Sequence, residues 1–327
     1  MNTDYCLQSI KEKIKAQLNS FVDADYIYLD LPYYSNVGDV LIWMGTKMLL
    51  EELSYKCLYS ASIETYKKVK LKKDTVILLQ GGGNFGDLWR RHTDFLLKVL
   101  SDYPDNKVVL MPQSVYYNDK ELMQEDARII AGHSNFIACV RDKASFDFLQ
   151  KHFNGLKVKM VPDMAFYLYD SAMLKKYINK RNQHSRPLLM KRSDKECVEY
   201  CFQNYTGDLN DVNVGDWPSM EGYSPYEKVR KFLSALNRKL VQSKLSPLIR
   251  SVFDIYAKFV YMPHLYRQGV KFISSYRVVY STRLHGALLA LLLGKTVYLF
   301  DNSYGKNSGV YAAWLEDCEA ITLISFK

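Results

Sequence analysis

The 327-residue sequence contains no long apolar run. Its longest, Ala287 to Leu293, falls far short of the roughly 20 residues a membrane-spanning helix needs. The opening stretch, Met1 to Phe21, lacks an apolar core segment and reads as a short amphipathic helix, so neither a secretory leader nor an export route is expected. Cysteine is sparse and scattered at Cys6, Cys57, Cys139, Cys197, Cys201 and Cys318, and only Cys197 and Cys201 are close. No second pair or nearby histidine completes a zinc site, so no metal is expected. Unpaired thiols would fit a reducing, cytoplasmic setting. Low-complexity segments and short repeats are absent. So is any helix-turn-helix, RNP or zinc-finger pattern, and no nucleic-acid partner is expected.

What is present is ordinary in bulk and uneven in detail. A length of 327 residues favours two domains. The hydrophobic fraction of 48% and charged fraction of 24% are those of a globular protein. The 26 tyrosines suit saccharide or interface contact as well as core packing. Charge is concentrated: between Ser224 and Arg283 twelve basic residues face only Glu227 and Asp254. That stretch accounts for the whole net charge of +9 and leaves the remainder near neutral, which points to a localised anionic partner. Within it Val229, Phe232, Leu233, Leu236 and Leu240 recur at helical spacing among lysines and arginines. A helix lying on an anionic membrane surface has this composition, and so does one packed on its own domain.

The first half alternates strand-like and helix-like runs. Tyr26–Leu31, Lys56–Ala61, Thr75–Gln80, Val108–Pro112, Phe136–Arg141 and Val158–Val161 read as strands. Helical patterns at Val40–Leu53, Thr93–Ser101, Lys120–Gly132 and Lys143–Phe153 lie between them, so a parallel sheet covered on both faces is expected. The second half repeats this with strands at Arg186–Lys191, Val278–Ser281, Thr296–Phe300 and Ala320–Ile324. A basic helical region, about 225–269, is inserted. The expectation is two Rossmann-like domains across a cleft, residues 1–170 and 171–327, with a boundary near Tyr167 to Lys180.

Chemistry-bearing residues gather at strand ends. Thr75–Trp89, TVILLQGGGNFGDLW, drives a buried strand into Gly81, Gly82, Gly83, Asn84, Phe85, Gly86 and Asp87. Glycines there bring bare N–H groups against a ligand, or make a tight turn. G-x-G-x-x-G is matched formally, but no acidic residue ends the next strand, so a dinucleotide site is not the reading. In DLPYYSNVGD, Asn36, Gly38 and Asp39 sit where a helix begins; Asp39 can cap that helix, contact ligand, or both. Arg283 and His285 follow another apolar strand in STRLHG, offering a planar anion-binding fork and a proton carrier. The polar loop Asp301–Gly309 supplies Ser303 and Lys306. Weaker items are Arg141-Asp142 and Arg192 within KRSDKE.

Taken together, NVGD, LLQGGGNFGDLW, VRDKAS, Pro162-Asp163, KRSDKE, STRLHG and DNSYGKNSG resemble the polysaccharide pyruvyltransferase family, in order, from about Asp30 to Trp314. The resemblance implies a GT-B-like pair of Rossmann-like domains. It also implies transfer of pyruvate from phosphoenolpyruvate to a sugar, as a cyclic ketal, in bacterial exopolysaccharide, capsule or cell-wall assembly. Arg283 and His285 match the family's functional positions. On this basis His285, Arg283 and Asp39 are expected to be catalytic, with His285 as general acid/base. Donor contacts are expected from Arg283, Lys306, Ser303, Arg192, Gly82, Gly83 and Asn84. Acceptor contacts are expected from Asn36, Asp39, Asp87, Arg141 and Asp142. No cofactor beyond the donor substrate is expected. The acceptor is expected to be a saccharide, with an undecaprenyl-diphosphate-linked form in view. The setting is expected to be cytoplasmic, with peripheral contact at the inner membrane face through 225–269. The basic segment departs from the family pattern by its length. A nucleotide-sugar glycosyltransferase of the same architecture is the alternative enzyme, and a non-catalytic binder of anionic glycan the alternative of another class.

Overall fold

The computed structural model describes residues 2–178, 184–192, 209, 211–222, 224–301 and 305–324. The apolar runs of the first half become strands β1 (Tyr26–Leu29), β2 (Cys57–Ala61), β3 (Val76–Leu79), β5 (Val108–Tyr116), β6 (Phe136–Val140) and β7 (Lys157–Met160). All pair in parallel, in the order β2-β1-β3-β5-β6-β7. β1, β3 and β6 are buried along their whole length, which is why they read as continuous apolar runs rather than alternating ones. Helices α1 (Thr3–Leu18), α2 (Val37–Glu51), α3 (Arg90–Asp102), α4 (Lys120–Ala131) and α5 (Lys143–His152) cover the two faces. Asn36, Asp119 and Asp142 cap α2, α4 and α5 through side-chain oxygens.

One element differs from expectation. Gly82–Gly86, expected to be a ligand-facing loop or a tight turn, is a short parallel strand, β4, added to the far end of β5. One buried amide makes it possible: Gln113 Nε2 donates to the Gln80 carbonyl (2.9 Å), and Gln113 Oε1 accepts from Asn84 N (2.9 Å). Gly86 has φ +134°, and a Cβ there would lie 1.7 Å from the Tyr116 carbonyl oxygen. Glycine's low β propensity hid this strand.

The second sheet holds β8 (Leu188–Met190), β9 (Asn213–Gly215), β10 (Val278–Ser281), β11 (Thr296–Phe300) and β12 (Ile321–Ile324), parallel throughout, in the order β12-β11-β10-β8-β9. In each sheet the first strand therefore lies between the second and the third. The winding reverses between β1 and β3, and again between β8 and β10. Open α/β sheets bind ligands beyond the carboxyl ends of the strands flanking such a reversal. The remaining helices are α6 (Ala172–Ile178), α7 (Pro218–Glu221), α8 (Pro225–Lys239), α9 (Ser246–Tyr256), α10 (Met262–Ser274), α11 (Leu284–Leu292) and α12 (Lys306–Trp314). A π-helical turn, Ala257–Tyr261, joins α9 to α10.

Near the expected boundary, Met164–Leu168 forms a buried 3-10 turn packed on α1, α2 and α11. One apolar cluster runs from α1 and α2 through this turn to α10, α11 and the second sheet, and another lies between the first sheet and α3–α5. No helix among the described residues is long and apolar enough to cross a membrane.

The expectation of unpaired thiols is corrected. Cys6 and Cys318 form a disulfide, Cα atoms 5.9 Å apart and 312 residues apart in sequence. α1 packs against the chain's last described segment, where Ala320 N donates to Thr3 Oγ1 (3.2 Å), so two cysteines remote in sequence meet. Cys57 and Cys139 are free thiols. Cys197 and Cys201 lie outside the described residues.

Candidate active site

A cavity of about 500 Å³ opens at the carboxyl ends of both sheets. From the β1 end it takes Tyr34, Ser35, Asn36, Gly38 and Asp39, and from β4, which follows β3, Gly83 and Asn84. The start of α3 adds Leu88 to His92, and the β6 end adds Arg141. The second sheet contributes Arg192 after β8, Arg283, Leu284 and His285 after β10, and Lys306 from α12, with Trp217 and Met220 beside them. Both winding reversals thus feed one cavity.

His285 is the centre of this arrangement. Its Nε2 lies 3.2 Å from Asp163 Oδ2. Asp163 is fully buried and caps the 3-10 turn by accepting from Ala165 N (2.8 Å). The same Oδ2 accepts from Arg141, itself fully buried, whose Nε donates to Ser114 Oγ (2.9 Å). Burial alone would raise the Asp163 carboxyl. His285, Arg141 and the Ala165 N–H outweigh it and hold the group well below its ordinary range. A carboxylate fixed on Nε2 directs the imidazole's proton exchange to Nδ1. That atom faces Gly38, where a Cβ would approach it to 2.8 Å.

The glycines are spacers between charged groups. A Cβ at Gly83 would lie 3.2 Å from an Arg141 terminal nitrogen and 3.3 Å from Lys306 Nζ. One at Gly82 would lie 3.3 Å from Asp39 Oδ1. β4 therefore threads between a cation from each half of the chain, and its bare backbone faces the cavity. Lys306 is set by Asn307, which is fully buried and donates to the carbonyls of Thr282 (3.1 Å) and Phe300 (2.8 Å).

Arg283 lines the cavity, but its fork is engaged. Nε and Nη2 both bond the Asp216 carboxylate, the latter at 2.6 Å, and both side chains are buried. Removing one partner of such a pair costs about 3–5 kcal/mol, because the other charge is left buried and alone.

A second histidine–carboxylate pair brings His92 to the same cavity. His92 Nδ1 lies 2.8 Å from Asp30 Oδ2, and Asp30 takes a left-handed backbone (φ 63°) at the end of β1. Non-glycine residues held there cluster at functional sites. Burial lowers the His92 imidazole, but the Asp30 charge and hydrogen bond carry it above its ordinary value. Asp30 in turn is raised by burial, partly opposed by His92. Tyr34 packs edge-on against His92, ring centroids 6.0 Å apart. Burial, then the neighbouring Asp39 and Asp30 charges, keep its phenol protonated well into alkali.

Of the residues expected from sequence, Asn36, Asp39, Gly83, Asn84, Arg141, Arg192, Arg283, His285 and Lys306 line this cavity, whereas Gly82 does not line it and lies beside Asp39. Asn36 Nδ2 donates to Asp39 Oδ2 (2.7 Å), fixing the carboxylate that the sequence left between capping and ligand contact. Asp87 and Asp142 are placed elsewhere. Asp87 accepts from the backbone of Asn118 (2.6 Å) and Asp119 (2.7 Å). Asp142 caps α5 and accepts from Ser114 Oγ (2.7 Å). Ser303 and residues 193–196 lie outside the described residues. Asp30, Tyr34, His92, Asp163 as the partner of His285, and Asp216 were not assigned from sequence. The pairs His92–Asp30, His285–Asp163 and Arg283–Asp216 join residues 62, 122 and 67 positions apart, and no local spacing marks them.

Fold and site together define a Rossmann-like α/β protein with a cation-lined cavity built around a histidine–aspartate pair. Residues 36–304 match the family model described as polysaccharide pyruvyl transferase, and the chain belongs to that family. It is 30% identical over 326 residues to EpsO of Bacillus subtilis (strain 168), named among pyruvyl transferases, covering 99% of this chain and 96% of that protein. Pyruvyl transferase 1 of Schizosaccharomyces pombe (strain 972 / ATCC 24843) is 26% identical, over 89% of this chain and 69% of its own length. The crystal structure of KP1_0663 from Klebsiella pneumoniae subsp. pneumoniae NTUH-K2044 shares the fold, with TM-score 0.63 at 22% identity. The match covers 97% of this chain and 99% of that one.

Proposed function

We propose that this transferase takes its pyruvyl group from phosphoenolpyruvate and places it on two hydroxyls of one saccharide as a ketal. We further propose that the two sheets act as GT-B-like domains with the reaction between them. The observation that carries this reading is the cavity. Arg141, Arg192 and Lys306 converge from both halves on the wall that holds His285 and its buried carboxylate.

Phosphoenolpyruvate is small and multiply anionic, and a cluster of guanidinium, ammonium and backbone N–H donors out of bulk water suits it. Protonated His285 delivers a proton from Nδ1 to the enol methylene, and the adjoining carbon becomes oxocarbenium-like. One acceptor hydroxyl adds there and loses its proton. The carbon–oxygen bond to phosphate breaks, and the second hydroxyl closes the ring. One hydroxyl proton replaces the one spent on the methyl group; the other leaves with inorganic phosphate. Asp39, and His92 with Asp30, lie on the first sheet's wall and are the groups available to take protons from the acceptor.

A thermal-shift titration with phosphoenolpyruvate, UDP-hexoses and plain phosphate tests the donor. A ligand that binds only the folded chain raises its unfolding temperature. Phosphoenolpyruvate is expected to do so, and Lys306→Ala to weaken the effect. Stabilisation by a UDP-hexose alone would replace this reading with glycosyl transfer.

A further inference from the structure

Helices α8 and α9 bury some apolar side chains, Phe253 fully and Leu233 in part, yet carry others on their outward faces. The buried residues of α8 are Glu227, Ser234 and Asn237, whereas Val229 and Phe232 are exposed, Phe232 at 63%. On α9 and the π-turn, Leu248, Val252, Ile255 and Phe259 repeat at steps of four, three and four, one helical stripe, and all four are exposed, Phe259 at 72%. A solvated helix has the opposite polarity, so the outward face is built for an apolar medium.

Charge decides which medium. Both acids of the segment point inward: Glu227 bonds Arg230 and Tyr261, and Asp254 bonds Lys258, Tyr33 and Thr65. Lys228, Lys231, Arg238, Lys239 and Lys244 remain exposed around the apolar stripe. A second copy of this chain would bring the same cations against these, whereas an anionic bilayer offers hydrocarbon for the stripe and phosphates for the lysines.

We infer that the α8–α9 face docks on the surface of an anionic lipid bilayer. The inward side of the same hairpin grips the cavity wall. Arg230 donates to the Tyr33 carbonyl (3.2 Å), and Tyr261 to Ser35 Oγ (3.3 Å), next to Tyr34 in the cavity lining. Docking thus holds the acceptor-facing loop near the membrane, where a saccharide carried on a lipid would be presented. That last step rests on the saccharide-acceptor reading; the docking itself does not.

The test is co-sedimentation of the full chain with phosphatidylcholine vesicles, with and without phosphatidylglycerol. Because it needs no turnover, its failure is separate from failure of the transfer reaction. Wild type is expected to sediment only with the phosphatidylglycerol vesicles, and less at high salt. Replacing Lys228, Lys239 and Lys244 by Gln is expected to weaken partition roughly 100-fold. Replacing Phe232, Leu248 and Phe259 by Ser is expected to abolish it with the unfolding temperature unchanged. Equal binding to neutral vesicles, or none to either, would overturn the inference. So would a concentration-dependent dimer that the Ser substitutions dissolve, which would make the face a self-association surface.

Discussion

Asp163 bonds both His285 and Arg141, so substitutions at His285 and Asp163 separate chemistry from folding. His285→Ala leaves the Arg141–Asp163 pair intact. Turnover is expected to vanish while phosphoenolpyruvate still raises the unfolding temperature; full activity would remove His285 from the mechanism. Asp163→Asn acts on both levels. Losing the partner that fixes the imidazole is expected to lower turnover by about 10²–10⁴-fold. Leaving Arg141 buried and unpaired costs about 3–5 kcal/mol at pH 7. The carboxyl is held below its unfolded value of 3.8, so its stabilisation is complete above that pH and fades as pH falls through the lower folded value. The gap between wild type and Asp163→Asn in urea denaturation should therefore be widest near neutrality and narrow in acid below 3.8. Asn36, Asp39, Arg141, Arg192, Arg283, His285 and Lys306 were legible in the sequence because each follows an apolar strand. The pairings of Asp163 with His285 and Asp216 with Arg283 were not, nor was the His92–Asp30 pair, because those contacts join different elements.

Strands β1, β3, β6 and β10 lie within the ranges read from the sequence, and helices α2 to α5 begin within a few residues of theirs, because buried apolar runs and, for α2, α4 and α5, side-chain caps are strong local signals. β4 and β9 were missed; three to five residues rich in glycine or asparagine carry no apolar pattern. The sequence marks the basic insertion as one helical region, but not that Phe232, Leu248 and Phe259 face outward from it. Sequence periodicity finds an apolar face without saying which way it points. Packing can also reverse a local preference. Gly45 lies inside α2, where Ala is ordinarily better by about 1 kcal/mol. Here α2 runs so close to the 3-10 turn that a Cβ would sit 1.9 Å from the Met164 carbonyl oxygen. That neighbour is buried backbone and cannot swing aside. Gly45→Ala is expected to destabilise by about 1–3 kcal/mol, as overpacking does, with a lower urea midpoint and an unchanged slope. A rise in the midpoint would show that α2 and the turn can part.

The two halves of the site are held in register by α12. Its first residue, Lys306, reaches β4, and its last, Trp314, donates Nε1 to the Arg141 carbonyl (2.7 Å). Midway, a Cβ on Gly309 would touch Asp142 at 3.2 Å. Just beyond Trp314 the chain is tied to α1 by Cys6–Cys318, and the Cys6 sulfur also lies 3.9 Å from the Trp314 carbonyl. A crosslink across nearly the whole chain restricts the unfolded state strongly, by about 6 kcal/mol on the chain-entropy account, of which native disulfides typically deliver about 2–5. Oxidised wild type is therefore expected to unfold at higher urea than Cys6→Ser, and reductant should bring wild type down to the variant while leaving the variant unchanged. Because the disulfide anchors the end of α12 farther from Lys306, its loss should loosen how Lys306 and Arg141 meet around Gly83. The expected kinetic signature is a raised KM for the donor with kcat little altered, since His285 and Asp163 keep their own contacts. Identical donor KM in the two redox forms would mean that Trp314 and Asn307 hold α12 without help from the disulfide.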